Sequence, residues 1–166
     1  MSQESEMGAA TNLPEAPRRV AAVLHDLGAE GTVQRFTTEV PTAAAAAAVL
    51  GCEVGAIANS LVFAAGDEPL LVLTSGAHRV DTAHLARLLE VPKIKRASPE
   101  FVLAATGQHV GGVAPVGHPA PIRTLVDVWL GKYDVVWAGA GDHLSMFPTT
   151  FEELLRLTHG QPVEVA

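Results

Sequence analysis

The chain has 166 residues, of which 48% are hydrophobic and 17% are charged. This length suits one domain with a substantial core, and the apolar content excludes a disordered chain. Eleven basic residues against 18 acidic ones give a net charge of −7. That charge disfavours a protein that binds along DNA or a long RNA through a basic surface, and it favours a local contact with one end of an RNA.

Cysteine usage and hydropathy predict a cytoplasmic protein. Cys52 is the one cysteine of the chain, so an internal disulfide is excluded and a reducing compartment is expected. No apolar run is long enough to span a membrane, and the N-terminus lacks the charged-then-apolar pattern of a signal peptide. We therefore expect no membrane partner.

The first predicted helix follows a tail. Residues 1–17 are rich in Ser, Glu, Ala and Pro without apolar periodicity, so we expect a mobile tail before a single domain over residues 18–166. Apolar residues at helical spacing predict a helix over residues 18–27, and Gly28 offers its C-terminal stop. The next stretch, residues 33–40, alternates as a short strand does.

Capping residues and hydrophobic alternation predict the elements of the central part of the chain. Thr42 is a plausible N-cap for an alanine run, and alanine is the best helix former. Two apolar segments joined by a glycine-containing turn are typical of a β-hairpin. The predicted elements are a helix over 42–50, strands over 57–64 and 69–73, a helix over 81–89 and a helix over 98–105.

The C-terminal part adds strands and a last helix. Strands are predicted over residues 110–116, 122–126 and 135–138, and a capped helix over residues 150–158. The strands occur in adjacent runs, with helices between the groups. This order predicts an α+β fold, in which a single domain has a mixed, curved and partly barrel-like β-sheet flanked by helices.

An apolar, glycine-rich stretch over residues 106–118 stands out. It holds four of the 15 glycines yet stays apolar between them. Gly111 and Gly112 can adopt positive φ and leave their N–H groups uncovered, which favours binding of a carbonyl oxygen, a carboxylate or a developing oxyanion. The alternative is a tight turn between strands, in which the glycines only relieve steric crowding.

The remaining histidines and glycines predict no cofactor. The seven histidines lie at spacings unlike those of metal-binding motifs, so we expect no metal. Gly139-Ala140-Gly141 lacks the third glycine of a dinucleotide fingerprint, so we expect no nucleotide cofactor.

An ordered set of short motifs resembles a known family. Thr106-Gly107 and the segment from Val110 through Gly117 are similar to its TG-x-x-VGG-[VI]-x-P-x-G signature. Asn59-Ser60-Leu61-Val62-Phe63 is similar to its K-[ST]-L-[VL]-[VF] motif, and residues 136–141 and 147–154 continue the resemblance in the family's order. The family is that of the YbaK/EbsC-type aminoacyl-tRNA-editing domains, relatives of the prolyl-tRNA synthetase insertion domain.

Membership would imply an α+β fold and an activity. The family hydrolyses the ester between a wrong amino acid and its tRNA, here a small amino acid edited in trans, with the aminoacyl-tRNA 3′ end and a synthetase as partners. The resemblance implies oxyanion donors in the main chain of Gly111, Gly112 and Val113. It places Asn59 at the family's usual lysine. Pocket walls are implied at Ser75, Gly76, Pro115, Gly117, His118, Gly141 and His143.

Asparagine in place of lysine leaves several hypotheses open. Asn59 orients the substrate while the ribose hydroxyl of the tRNA and main-chain amides perform the reaction, or the site binds aminoacyl-tRNA ends without turnover, or Asn59 is structural. A small-molecule esterase or amidase is a third class of function. The scattered basic residues, which are either contacts for terminal RNA nucleotides or solvated surface residues, are Arg79, Lys95, Arg96 and Arg123.

Overall fold

The computed structural model describes residues 13–166. Helix α1 (Glu15–Asp26) begins three residues before the predicted start, and Leu13 ahead of it is buried in the core at 2% exposure. Gly28 follows the helix with a φ of +74°, as its predicted stopping role requires. Of the predicted tail, residues 1–12 lie outside the described residues.

The other helices of the described chain form where the caps predict them. In each, the side chain of the residue before the helix accepts a hydrogen bond from a main-chain N–H of the first turn. The helices and their N-caps are α2 (Ala43–Leu50, Thr42), α3 (Thr82–Leu89, Asp81), α4 (Pro99–Thr106, Ser98) and α5 (Phe151–Thr158, Thr150).

One mixed sheet joins the strands, which confirms the predicted α+β fold. Its order is β1-β7-β6-β2-β3-β5-β8, and β4 pairs with β2 beside β6. The β2–β6, β3–β5 and β5–β8 pairs are parallel and the rest antiparallel. The sheet stays open. The strands are β1 (Gln34–Arg35), β2 (Ile57–Ala65), β3 (Glu68–Ser75), β4 (Ile94–Arg96), β5 (Arg123–Asp127), β6 (Val136–Gly139), β7 (Ser145–Thr149) and β8 (Gln161–Val163).

The predicted strand over residues 110–116 is wrong. These residues form turns and irregular backbone, and Gly111 within the segment and Gly117 just after it have φ values of +91° and +88°, outside the β region. The predicted strand over 33–40 shrinks to β1, because its pairing with β7 covers only two residue pairs. Sequence analysis missed β4, β7 and β8, which are short.

The sheet carries a core on each face. On one face, Val62 and Leu71 pack in the largest cluster with α1 and α5, and on the other face Phe63 and Leu70 pack with α3. A third, smaller cluster joins α2 to the sheet through Ile57. Among residues 13–166, no helix combines the length and apolar character needed to cross a membrane.

Candidate functional site

A gap in the sheet creates the candidate site. Strand β2 pairs with β6 only at Ile57 and Ala58, and with β4 only from Phe63 onward. Between these pairings, β2 has no neighbouring strand on that edge, and a pocket of about 270 Å³ opens there. We call it the β2 pocket. Its walls are β2 itself (57–63), the N-terminal end of α2 (41–43 and 46), the end of β4 (96–97), the glycine-rich loop (110, 111 and 113) and the β6–β7 connection (139, 142, 145 and 146).

The main chain of Ser60 faces this gap. Successive strand residues direct their N–H and C=O groups to alternate edges of a strand. The Ile57 carbonyl accepts from Gly76 beside β3, whereas the Val62 carbonyl accepts from Ala97 on the opposite edge. Ser60 lies two residues before Val62, so its N–H and C=O point into the pocket. Its hydroxyl is buried and has no partner among the described residues.

Asn59 lines the pocket as an uncharged side chain. It is half-buried, and its amide makes no hydrogen bond within residues 13–166. Its partner in the β2–β3 ladder is Thr74, whose buried hydroxyl is also unpaired. The Asn59 amide therefore has its donors and its acceptor available for a ligand.

The glycine-rich loop presents two free amides at the pocket. Gly111 and Val113 line it, and neither N–H has an acceptor in the described part of the chain. The expectation for Gly112 needs correction, because its N–H donates to the His109 carbonyl at 3.1 Å and its carbonyl accepts from Gly141 at 2.8 Å. Gly112 instead allows close packing, since a Cβ there would lie 2.6 Å from the Asp142 Cα.

Gln108 holds this loop in shape. Its buried amide accepts a hydrogen bond from the Ala114 N–H at 2.6 Å and donates to the Val116 carbonyl at 3.3 Å. The side chain thereby supplies the bonds that a neighbouring strand would otherwise give to residues 114–116. Sequence analysis missed Gln108, although a long polar residue inside an apolar stretch, directly after the α4 C-cap Gly107, was a usable signal.

A charged network forms the pocket wall at the β6–β7 connection. Arg35 donates from Nη1 to Asp142 Oδ2 at 3.0 Å and to Ser145 Oγ at 2.9 Å, and Asp142 Oδ1 accepts from the Leu144 N–H at 3.0 Å. Burial disfavours the charged carboxylate, but hydrogen bonds from Arg35, Leu144 and Ser145 outweigh it and lower the pKa of Asp142. Asp142 is therefore an anion near neutral pH. Residues 139–143, which include Asp142, were expected from the resemblance as a pocket wall, but sequence analysis missed Arg35 and Ser145.

Two predicted wall residues, Ser75 and Gly76, lie outside the pocket. The Ser75 hydroxyl donates to the Gly55 carbonyl at 2.7 Å, and its N–H donates to Asp127 Oδ2 at 3.0 Å. Gly76 packs so tightly that a Cβ would lie 2.4 Å from the Val54 carbonyl oxygen. Both residues fix the end of β3 and do not contact the pocket.

The remaining predicted wall residues surround the loop without lining the pocket. Nε2 of His143 lies 3.1 Å from the Val110 carbonyl, at the outside of the loop, and Gly141 packs against α1. Nε2 of His118 lies 2.8 Å from the Ala114 carbonyl. Desolvation lowers the His118 pKa, against the raising effect of that carbonyl. Pro115 is buried and Gly117 packs against Val20 of α1.

Basic residues are unevenly placed around the pocket. Arg96, at the end of β4, lines it, whereas Lys95 precedes it on the strand and does not. Arg79 and Arg123 are exposed and also lie outside the pocket walls. Of the four basic residues suggested by sequence, only Arg96 is therefore placed to touch a ligand in the pocket.

Known proteins resemble this chain over most of its length. A family model described as the aminoacyl-tRNA editing domain matches residues 37–157. The uncharacterized protein YwhH of Bacillus subtilis is 31% identical over 126 residues, covering 75% of this chain and 80% of YwhH. The proline–tRNA ligase of Geotalea daltonii is 28% identical over 161 residues, covering 92% of this chain but 28% of the ligase. The chain thus spans less than a third of that ligase.

A solved structure is similar in both sequence and fold. It is described as a candidate trans-editing enzyme for prolyl-tRNA synthetase. It superposes with a TM-score of 0.85 at 38% identity, and the match covers 92% of this chain and 98% of the other. The α+β sheet described above is therefore shared with a solved chain of similar length.

Proposed function

The chain belongs to the aminoacyl-tRNA editing domain family, and from that premise we propose that it hydrolyses the ester of a small misattached amino acid on tRNA, in trans. One observation carries the proposal. The β2 pocket brings Asn59 together with the free amides of Gly111 and Val113. Its volume of about 270 Å³ suits a small aminoacyl group.

The two free amides fit the demands of ester hydrolysis. Attack of water on the ester carbonyl places negative charge on its oxygen, and main-chain N–H groups fixed in advance stabilise that charge. Removing one such donor from an enzyme commonly slows the reaction about 100- to 1,000-fold. Gln108 fixes the loop that carries these amides, so we assign it a positioning role.

The proton acceptor in this reaction is the substrate itself. Among the described residues that line the pocket there is no histidine and no lysine, and the Asp142 carboxylate is a weak base because its pKa is lowered. The terminal ribose carries a hydroxyl next to the ester, which accepts a hydrogen bond from the attacking water and relays the water's proton to the departing ribose oxygen. The carbon–oxygen bond to the ribose breaks, and the free amino acid and the tRNA hydroxyl are released. Asn59 orients the aminoacyl group through its amide.

Deacylation of tRNA charged with Ala, Ser or Cys tests the proposal. We expect the wild type to accelerate hydrolysis of at least one of them over the spontaneous rate. Ala46→Leu is expected to abolish this turnover, because Ala46 lines the pocket. Ala48→Leu, on the exposed side of the same helix, is the matched control and should leave it unchanged. Wild-type rates equal to the spontaneous rates would overturn the proposal.

A second candidate function is binding of aminoacyl-tRNA ends without hydrolysis, in the service of a synthetase partner. The absence of charge at Asn59 favours it, since a lysine there would add a charge-assisted contact. Asn59→Lys separates the two. Turnover in the wild type supports editing, whereas turnover only in Asn59→Lys means that the natural site binds its ligand without cleaving it.

A further inference from the structure

The β2 pocket carries opposite charges on its two sides. Of the described residues that line it, two carry a charge at neutral pH, Arg96 and Asp142. They lie on opposite sides of the gap, Arg96 at the end of β4 and Asp142 in the connection after β6. Asn59 and Ser60, on the β2 floor between them, are uncharged. A ligand in this pocket therefore meets a cation at one end and an anion at the other.

The Asp142 carboxylate keeps unused hydrogen-bonding capacity. An ionised carboxylate offers about four lone-pair sites, and hydrogen bonds from Arg35, the Leu144 N–H and Ser145 occupy three of them. The side chain remains 31% exposed, so a ligand can reach it. Arg35 does not line the pocket, so its bond to the Asp142 carboxylate leaves the pocket free for a ligand.

An aminoacyl ester at the end of a tRNA has the matching polarity. Its α-amino group is protonated near neutral pH, and its terminal nucleotide carries a phosphate. We propose that Asp142 binds the α-ammonium group of the aminoacyl ester, while Arg96 binds the phosphate of the same terminal nucleotide. This inference rests on the proposed function for the nature of the ligand, and it adds the orientation of that ligand.

This orientation places the ester over the polar floor of the pocket. With the ammonium at the β6–β7 connection and the phosphate at β4, the ester carbonyl lies between them, beside the free amides of Gly111 and Val113. The Ser60 carbonyl, which faces the gap, is a second acceptor for the ammonium group. The pocket thereby selects an aminoacyl group with a free α-amine and rejects α-hydroxyacyl and N-blocked esters.

Equilibrium binding of two stable analogues tests the orientation without relying on turnover. The probes are 3′-amino-3′-deoxyadenosine 5′-monophosphates that carry L-alanine or L-lactate in amide linkage. They differ by an ammonium against a hydroxyl group of similar size. At about pH 6, below the usual α-amino pKa of about 8, we expect the alanyl probe to bind about 10- to 100-fold more tightly, as hydrogen bonds to charged groups imply.

Paired variants assign this preference to the two residues. Asp142→Asn should reduce the alanyl-to-lactyl ratio to near one, whereas Asp134→Asn, the same charge change at an exposed site outside the pocket, should preserve it. Arg96→Gln should weaken both probes equally, and its control Lys95→Gln should weaken neither.

Several results would overturn the inference. They are equal binding of the two probes to the wild type, a preserved ratio in Asp142→Asn, or binding of neither probe. The proposed function fails separately, when aminoacyl-tRNA is not hydrolysed even though the alanyl probe is preferred.

Discussion

Two carboxylates of this protein, Asp127 and Asp142, have similar hydrogen-bond partners but differ in exposure. Asp127, at the end of β5, is 1% exposed and accepts hydrogen bonds from the Ser75 and Trp129 N–H groups and from His78 Nδ1, at 2.8–3.0 Å. Asp142 also has a basic partner and a main-chain donor, but it is 31% exposed to the β2 pocket. The buried carboxylate is enclosed by its own chain, whereas the pocket carboxylate is accessible to a ligand.

The difference predicts that Asp127 serves stability, and it supports the proposed binding role of Asp142. Around Asp127, the neighbouring side chains also pack on one another: Lys132 Nζ lies 3.6 Å from the Trp129 ring centroid, and His78 packs on the same ring at 4.8 Å. A polar cluster of this kind locks the end of β3 to β5. The network around Asp142 instead binds both carboxylate oxygens but leaves the side chain 31% exposed, at the wall of the pocket.

Removing the buried carboxylate of Asp127 should have the largest effect on stability. Asp127→Ala leaves two buried N–H groups unpaired, so we expect a loss of about 3 kcal/mol or more in the free energy of unfolding. Asp142→Ala removes a partly exposed ion pair and one loop bond, for which about 1 kcal/mol is expected. Urea unfolding of both variants measures the contrast. Equal losses would mean that exposure does not separate the two sites.

Gln108→Leu tests the contrast between stability and function in the loop that lines the pocket. It leaves the Ala114 N–H and Val116 carbonyl unpaired, and we expect about 2 kcal/mol of destabilisation. Because the loop amides shift, kcat for deacylation should fall further than the stability loss explains. Gln108→Glu keeps the acceptor for Ala114 and should recover part of kcat. A kcat that stays normal in folded Gln108→Leu protein would remove its positioning role.

The smallest expected effect concerns pH. The pKa of Asp142 is lowered in the folded state, so its charge stabilises the fold above the unfolded pKa of about 3.9. That contribution is lost as the pH falls through the folded pKa. The stability difference between wild type and Asp142→Asn should therefore be constant near neutrality and shrink below about pH 4. A difference that grows toward acid pH would contradict the direction of the shift.

Local signals in the sequence predicted much of the fold. Thr42, Asp81, Ser98 and Thr150 cap helices in the structure as their residue types indicate, because capping depends on neighbours along the chain. The segment over 110–116 was misassigned as a strand, because it is apolar and rich in valine, as many strands are. Its bonds run to the Gln108 side chain instead, which no periodicity reveals.

The residues of the site were predictable from sequence only where they lie in the family's motifs. Asn59, Gly111 and Val113 do meet at one pocket, although their roles remain a proposal. Arg35 and Asp142 lie 107 positions apart along the chain, and only the β1–β7 pairing brings them together. Ser75 and His118 were expected in the walls, but a side chain's direction depends on the packing of its strand or loop, and both bond to the scaffold.

The gap in the sheet also has a mechanical consequence. Strands β1, β7 and β6 form one wing, and β3, β5 and β8 form the other. Along the strand path, the wings are joined by two residue pairs, Ile57 with Trp137 and Ala58 with Ala138, whereas eight pairs join β2 to β3. A short ladder of paired residues resists bending less than a long one. Flexing of the sheet therefore concentrates at the β2–β6 pairing, which also borders the β2 pocket.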